Sequence, residues 1–584
     1  MSSPTPETTY QRFNRQFFKD LYVLTKPFWT SKEKGRGFFY LFINLMCSLG
    51  GVYASVALNG VSKDMYDALA AFNKQLLMSS CLQFFGLAAL VFVCAGYGSY
   101  FSGLLTIHWQ KWLTEQNIEK WLNQQSHYRM RWLKKRVDNP DQRISEDLAS
   151  FPALTLKIFF LLLQSVTSYV SFSLILWNLS RNFPLVLAGF HVMIPGYLFF
   201  AASIYGILGL WCIGMIGKKL AGIEYFQQLF NANFRHQLIQ VREYSEQIAS
   251  FRGEKNEQSK LNGLFSKIFE NYIEANALRK NLLFFTIGYD IFTQIVAIFL
   301  AMPLFFAKRV QLGGMVQISG AFRSVVQAFS SIVEAFSYFA EWKAVIYRLT
   351  EFDTGIALSR QVNLGVEKQT DSGSHSIALS QLKIEFPNHQ LMSTISDMQF
   401  LAPHRYLISG TTGSGKSTLL KVLMDLWPNA EGKIRQPNPE QMFLLPQRCY
   451  IPDGSLKEVL TYPDLLTIND KSVIDLMMQC GLESFISDLH EVRQWSQVLS
   501  LGQQQLIGFM RLFLRCPQVI LLDESTAALD ETSEASMYRM LNAYFPEALV
   551  ISIGHRSSLV QYHHYQLILD NHQFIPVEKT GVVA

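Results

Sequence analysis

Six apolar runs dominate the first 340 residues, at 37–59, 82–107, 155–178, 183–212, 281–307 and 314–340. Each holds about 20 or more residues, enough to cross the hydrocarbon core of a bilayer as a helix. The fourth contains Pro195 and Gly196, breaks that membrane helices tolerate. A short turn around Arg181-Asn182 joins it to the third. Two long polar stretches, 108–154 and 213–280, keep helical periodicity, so the membrane helices are expected to continue beyond the bilayer and turn back. Residues 350–378 are rich in Ser, Gly, Asp and Gln and read as a linker. Residues from 379 on carry the motifs taken up below and are expected to form an α/β P-loop domain. The expected organisation is a polar N-terminal segment (1–36), an all-α transmembrane domain with six spans (37–349), the linker (350–378) and an α/β domain (379–584).

Basic residues orient the spans. Seven Lys or Arg lie in 1–36, eight in 108–154 and ten in 213–280, whereas the alternate connections hold only Lys63 and Lys74, Arg181, and Lys308 with Arg309. The positive-inside bias places the N-terminus and both long loops in the cytosol. An even number of spans puts the α/β domain there too. Composition agrees with a partly lipid-covered chain: 17% of the 584 residues are charged, the mean hydropathy is +0.13 and there are 45 phenylalanines. Net charge is only +5, which carries no nucleic-acid signal. The seven cysteines form no CxxC pair and read as unpaired thiols.

The chemistry sits in the α/β half. Arg405–Ser409 reads as a buried strand, Gly410-Thr411-Thr412-Gly413-Ser414-Gly415-Lys416-Ser417 as a phosphate-binding loop, and Thr418–Leu423 as the helix leaving it. The glycines let backbone N–H groups turn toward phosphates at a helix N-terminus. Lys416 would reach the β- and γ-phosphates, and the Ser417 hydroxyl would ligate Mg²⁺. Asp523 ends the apolar strand that begins at Val519 and is placed to hold Mg²⁺ through water. Glu524 beside it suits the general base that activates the attacking water. Leu499-Ser500-Leu501-Gly502-Gln503 lies about twenty residues ahead of that strand.

A P-loop, an LSxGQ stretch and a strand ending Asp-Glu, in this order and spacing, resemble the ATP-binding cassette (ABC) superfamily. The resemblance implies ATP and Mg²⁺ as cofactors. It makes Gln447 the Q-loop glutamine at Mg²⁺, His555 the switch histidine at the γ-phosphate, Ala528-Leu529-Asp530 the D-loop, and Phe386 a candidate to stack on adenine. It implies that Ser500, Gly502 and Gln503 serve the ATP held by a partner's P-loop, so two cassettes must meet. Leu501 stands where the family usually has glycine. The chain then resembles half a transporter, with a second copy of itself as partner.

The membrane half narrows the branch. Trp109–Thr114, Trp121, Tyr128, the stretch Asp138-Asn139-Pro140-Asp141-Gln142-Arg143-Ile144, Arg242–Ile248 and Phe251–Glu254 resemble peroxisomal fatty-acyl-CoA half-transporters (subfamily D) and SbmA/BacA-like bacterial transporters fused to a cassette. This resemblance implies a multi-pass protein of a bacterial inner membrane moving amphipathic cargo such as fatty acids or acyl-CoA. Peptide or cobalamin uptake, and a membrane ATP sensor without cargo flux, stay open beside it. Polar residues within apolar runs point to a translocation path; Asp290 and Glu334 are the candidates, with His191 behind them. Asp138–Ile144 reads locally as a capped helix start, and the resemblance gives it a role in coupling.

Overall fold

The computed structural model describes residues 15–133, 139–181, 185–187, 190–192, 194–361, 365–371, 375–411, 413–463, 468–570 and 573–577. The chain forms two compact units. One comprises the residues up to Asn123 with Val137–Ile356; the other comprises Gln124–Arg136 with Ala357–Ala584.

The first unit is a helical bundle. α1 (Arg15–Thr30), α2 (Lys34–Ala70) and α3 (Lys74–Leu122) are followed by a single turn, α4 (Ser126–Arg129), which belongs to the second unit. Then come α5 (Pro140–Gln142), α6 (Leu148–Ser180), α7 (Tyr197–Glu243), α8 (Ser245–Ser250), α9 (Glu254–Phe306) and α10 (Leu312–Arg360). At 49, 47, 53 and 49 residues, α3, α7, α9 and α10 far exceed the ~20 residues that cross a bilayer. The two polar loops are therefore helical over most of their length. The polar ends of α7 and α9 lie against each other, joined by Gln237 Nε2 donating to Glu257 (2.8 Å) and by Arg279 with Glu224 (3.2 Å).

Five described segments are long and apolar enough to cross a membrane: Lys34–Ala70, Lys74–Trp132, Pro140–Ser180, Tyr197–Ile216 and Glu254–Phe306. In Lys74–Trp132 only 6% of the apolar window is buried within the chain, so that surface is left for lipid. The fourth apolar run does not stay helical. Leu185–Leu187 (β1) and Phe190–Val192 (β2) pair as an antiparallel hairpin, and α7 starts only at Tyr197. His191 lies in this hairpin; its side chain is outside the described residues. On the described residues α10 does not join the five, yet its Ile318, Ala321, Phe322 and Val325 are buried in one cluster with α6, α7 and α9. Glu334 lies in α10, with its side chain outside the described residues.

A second cluster joins α1, α3, α6 and α10. Phe28 stacks on Trp109 at 5.4 Å, and Trp109 meets Phe151 edge-on at 5.6 Å. Asn139 (φ +42°) and Pro140 open α5, as expected for a helix start; Asp138 is outside the described residues. Arg143 donates to Asp147 at 2.8 Å, and Arg348 of α10 grips the same carboxylate with two N–H groups at 2.9 and 2.5 Å. The buried carboxylate is not left unpaired, because two guanidiniums face it. It ties the foot of α6 to α10.

The second unit is an α/β domain. In chain order it contains β3 (Val366–Thr370), β4 (Ile377–Glu385), β5 (Leu391–Ile395), β6 (Met398–Phe400), β7 (Arg405–Gly410), α11 (Lys416–Leu423), β8 (Ala430–Gln436) and β9 (Met442–Leu445). There follow β10 (Gly454–Ser455), α12 (Leu456–Thr461), α13 (Asp470–Gln479), β11 (Val492–Arg493), α14 (Trp495–Val498), α15 (Leu501–Arg515), β12 (Val519–Asp523), α16 (Glu531–Tyr544), β13 (Leu549–Ile553), β14 (Tyr565–Asp570) and β15 (Gln573–Val577). The main sheet runs β3-β8-β4-β5-β15-β14-β7-β13-β12-β9, with β6 against β4. Its central strands β14, β7, β13, β12 and β9 are parallel, and β12 and β13 read as unbroken apolar runs because both faces are covered. One cluster packs α11 with β4 and β7, and another packs α12, α13, α15 and α16 with the sheet. Three stretches of the expected linker are regular structure: α10 continues to Arg360, Val366–Thr370 forms the edge strand β3, and β4 begins at Ile377.

The same unit holds Gln124–Leu133. Trp132 meets Trp427 edge-on at 4.7 Å, and Gln125 lines a cleft with Met424, Leu444, Cys449 and Arg511. Burial pushes the Cys449 thiol up to about 11, so it stays a neutral apolar wall group. All seven cysteines are unpaired.

His563 is wholly buried. Its Nδ1 lies 2.7 Å from the Leu559 carbonyl, which can only accept, so Nδ1 carries the proton and Nε2 accepts from the Ser552 hydroxyl at 2.7 Å. Burial, with Arg405 and His564 nearby, lowers its pKa from 6.5 to about 4. The unfolded chain takes up this proton near 6.5 and the folded one does not, so the contribution is present above that pH and lost as pH falls toward 4. It amounts to something on the order of 3 kcal/mol. In thermal melts of the full-length protein, His563→Asn should lose less stability between pH 7 and 4.5 than wild type. Parallel pH dependences would overturn the assignment.

Candidate functional site

The phosphate-binding loop forms between β7 and α11 for reasons visible in the backbone. At Gly410 (φ +142°) a Cβ would stand 2.4 Å from the Leu569 carbonyl oxygen. At Gly415 (φ +101°) it would stand 2.8 Å from Met392 Sδ. Both positions therefore need glycine. Gly415 caps α11 without any side-chain hydrogen bond, so the first N–H groups of that helix are left for an anion. Thr412 lies outside the described residues; Thr411, Gly413 and Ser414 complete the loop, and Thr418 lies in the first turn of α11.

Lys416 is buried and folds back, its Nζ donating to the carbonyls of Gly410 (3.0 Å) and Thr411 (2.7 Å). Burial lowers its pKa, opposed by Glu524 and Asp523. Ser417 Oγ donates to Asp523 Oδ1 at 2.6 Å. Burial raises the Asp523 carboxyl, while the Ser417 hydrogen bond and the Lys421 and Lys416 charges hold it down. This hydroxyl and carboxylate are hard oxygen donors of the kind that fits Mg²⁺.

Glu524 gathers the remaining groups. It follows β12 in a left-handed conformation (φ +47°), its N–H held by Ile553 O at 3.1 Å. Gln447 Nε2 donates to Glu524 Oε2 at 2.8 Å, and His555 Nε2 lies 3.4 Å from Oε1. The residues 447, 524 and 555, far apart in sequence, thus converge at the mouth of the P-loop sheet. Such a carboxylate, partly exposed beside a phosphate cradle, can take a proton from water.

The LSxGQ stretch opens α15. Ser500 is its N-cap: Ser500 Oγ accepts from Gln503 N–H at 3.2 Å and Gln503 Oε1 accepts from Ser500 N–H at 2.9 Å, a capping box. Leu501 points outward, 59% exposed. Gly502 runs so close to the chain at Ala528 that a Cβ would meet its carbonyl oxygen at 3.0 Å. Among the described residues, the side-chain bonds of Ser500 and Gln503 run to each other and none reaches the P-loop. Asp530 caps α16, accepting from Ser533 N–H. Phe386 stands in the β4–β5 turn and is 37% exposed, outside the buried clusters.

Sequence reading missed the residues that bind these loops together. Gln505, 4% exposed, donates from Nε2 to Gln447 O (3.1 Å) and Glu524 O (3.5 Å) and accepts from Ala528 N–H (2.9 Å). Arg556 donates to the Leu529 and Ala527 carbonyls and pairs with Glu534, which Thr526 and Ser558 also bond. The end of β12 and the loops at Gln447, Ala527–Leu529 and Arg556 are one hydrogen-bonded body. The sequence signal was slight: a third consecutive glutamine and an arginine next to a histidine.

A bundle of membrane-length helices fused to an α/β domain with this phosphate cradle defines a membrane transport ATPase. Comparison with known proteins agrees. The family described as "ABC transporter transmembrane region 2" matches residues 24–306, and that described as "ABC transporter" matches 395–527. An uncharacterized ABC transporter ATP-binding protein of Haemophilus influenzae is 31% identical over 567 residues, covering 95% of this chain and 93% of the relative. The inner membrane ABC transporter ATP-binding protein YddA of Escherichia coli is 29% identical, with 91% and 94% covered. The human lysosomal cobalamin transporter ABCD4 is 24% identical, with 94% of each chain covered. The chain belongs to the ABC transporter family, as a membrane domain and ATPase fused in one polypeptide, and its ATPase is coupled to transport.

Proposed function

We propose that two copies of this chain, each crossing a bacterial inner membrane six times, form a homodimeric pump for amphipathic cargo such as fatty acids or acyl-CoA. The observation that carries the dimer is the outward display of the LSxGQ stretch, with Leu501 exposed and, among the described residues, the Ser500 side chain bonded within its own capping box. A second cassette would supply that face to the ATP bound here. Lys416 and the P-loop N–H groups hold the phosphates, Phe386 meets adenine, and Ser417, Asp523 and Gln447 hold Mg²⁺, which neutralises phosphate charge when bound. Lys416 exchanges its carbonyl partners for phosphate oxygens. Glu524 takes the proton of the attacking water, and His555 donates to the γ-phosphate. Because Gln505 and Arg556 bind these loops into one body, a change at the γ-phosphate is passed to the Gln447 loop, next to Leu444, which lines the same cleft as Gln125.

The apolar outer faces of the helices, left open to lipid, support amphipathic cargo. The likeness to the human lysosomal cobalamin transporter supports cobalamin as a second reading. Inside-out vesicles carrying the protein should accumulate labelled oleate or oleoyl-CoA in the presence of ATP, and vesicles with Glu524→Gln should not. ATP-driven flux of cobalamin or a peptide alone would replace the lipid reading. Hydrolysis with no flux of any of these would leave an ATP sensor.

A further inference from the structure

The bundle contains a cavity of about 670 Å³ among α7, α9 and α10, with a charged pair in its wall. Asp290 lies within the apolar half of α9, and Arg323 lies near the start of α10. Arg323 Nη2 donates to Asp290 Oδ2 at 3.0 Å, and the side chains stay 50% and 57% exposed to the cavity. Such a pair does not face lipid without great cost, so the space it faces is hydrated. The cavity side of each helix is a polar stripe at helical spacing: Thr286, Asp290 and Thr293 on α9; Arg323, Gln327 and Ser330 on α10. This stripe is also why α10 is less apolar than its neighbours.

The hydrogen-bond inventory of the wall is uneven. Thr286 and Thr293 donate to carbonyls of their own helix at 2.9 and 2.6 Å, and Ser330 does the same at 3.4 Å. Gln327 and Arg323 are left as donors toward the cavity. Among the described residues, Arg323 meets Asp290 through one nitrogen only, so an edge of the guanidinium fork stays open. That fork matches a carboxylate or phosphate. Ile213, Leu282, Val326 and the Tyr289 ring give the wall its apolar part. Behind it, Tyr205 and Tyr289 stack at 4.7 Å and bond each other's backbone carbonyls, which fixes α7 against α9.

We propose that Arg323 is the head-group site for an anionic amphiphile and that Asp290 is its resident counter-ion, which the cargo anion displaces or shares. The proposal rests on the transport reading above and names the chemistry of its cargo site. Oleate and dodecyl phosphate carry the anion from two sources, and oleyl alcohol keeps the tail without charge.

The test is ATP hydrolysis by the full-length protein in nanodiscs, titrated with these three amphiphiles. Oleate, dodecyl phosphate or both should stimulate wild type, and oleyl alcohol should not; the relative response tells carboxylate from phosphate. Arg323→Gln should raise the half-stimulating oleate concentration about tenfold or more, the scale of a lost charge-assisted bond. Asp290→Asn removes the competing carboxylate and should lower that concentration. Melting temperatures identify a variant that fails to fold, and the opposite shifts of the two variants separate an anion site from a plain helix bridge. The proposal is overturned if Arg323→Gln responds like wild type, if oleyl alcohol matches oleate, or if the Asp290→Arg/Arg323→Asp exchange restores the oleate response. ATP-driven flux that ignores Arg323 would overturn the site and leave the transporter standing. No response of wild type to any anionic amphiphile, and no flux of any cargo, would remove both.

Discussion

Glu524→Gln in the full-length protein should slow ATP hydrolysis by about 10²–10⁴-fold, the usual loss for a general base, and leave ATP binding close to wild type. The substitution keeps size and shape. The carbonyl of the substituted side chain still accepts from Gln447, and its amide can donate to His555, so the two contacts of 2.8 and 3.4 Å have replacements. The loop geometry is further held by the backbone, through Glu524 N–H to Ile553 O and Gln505 to Glu524 O. What disappears is the only proton acceptor in that trio with a full negative charge. Lys416, Ser417 and the α11 N-terminus are unchanged, so the phosphates keep their seat. Single-turnover phosphate release and a fluorescent-nucleotide titration separate the two quantities. Hydrolysis at the wild-type rate would remove Glu524 from the reaction.

Lys416→Ala should act on the other quantity. We expect nucleotide affinity to fall about 30- to 100-fold, corresponding to a charge-assisted interaction of roughly 2–3 kcal/mol. The lysine is held ready: burial and the Gly410 and Thr411 carbonyls keep its Nζ over the loop. Alanine takes away the charge along with its partnered hydrogen bonds, so no uncompensated buried cation remains and the domain should fold. A melting temperature within a few degrees of wild type, with weakened nucleotide binding, is the expected pair of results. Unchanged affinity would mean that the α11 N–H groups carry the phosphates alone.

How much was legible in the sequence follows from how local each feature is. The strand, loop and helix around Lys416 are contiguous, and the special φ values at Gly410 and Gly415 demand glycine wherever they occur. That motif reads directly. Asp523 and Glu524 read equally well because they end an unbroken apolar strand. Gln505 did not: its partners at 447, 524 and 528 come from three other loops, and only folding reveals them. The hairpin at 185–192 was hidden for another reason. Leu185–Leu187 and Phe190–Val192 are as apolar as a helix would be, and short apolar runs do not distinguish the two. The partnership of Arg143, Asp147 and Arg348 spans some two hundred residues and shows in no local pattern. The tryptophans near 109–132 marked the branch of the family but not that Trp132 sits against Trp427.

The α/β unit is built from two separate pieces of chain, Gln124–Arg136 and Ala357–Ala584. A fragment that begins at Ala357 is therefore an incomplete domain. It lacks Trp132, the edge-on partner of Trp427, and Gln125, which lines the cleft beside Met424 and Leu444. Excising the ATPase by a single cut leaves a stretch of apolar surface bare that the intact polypeptide covers with its own residues.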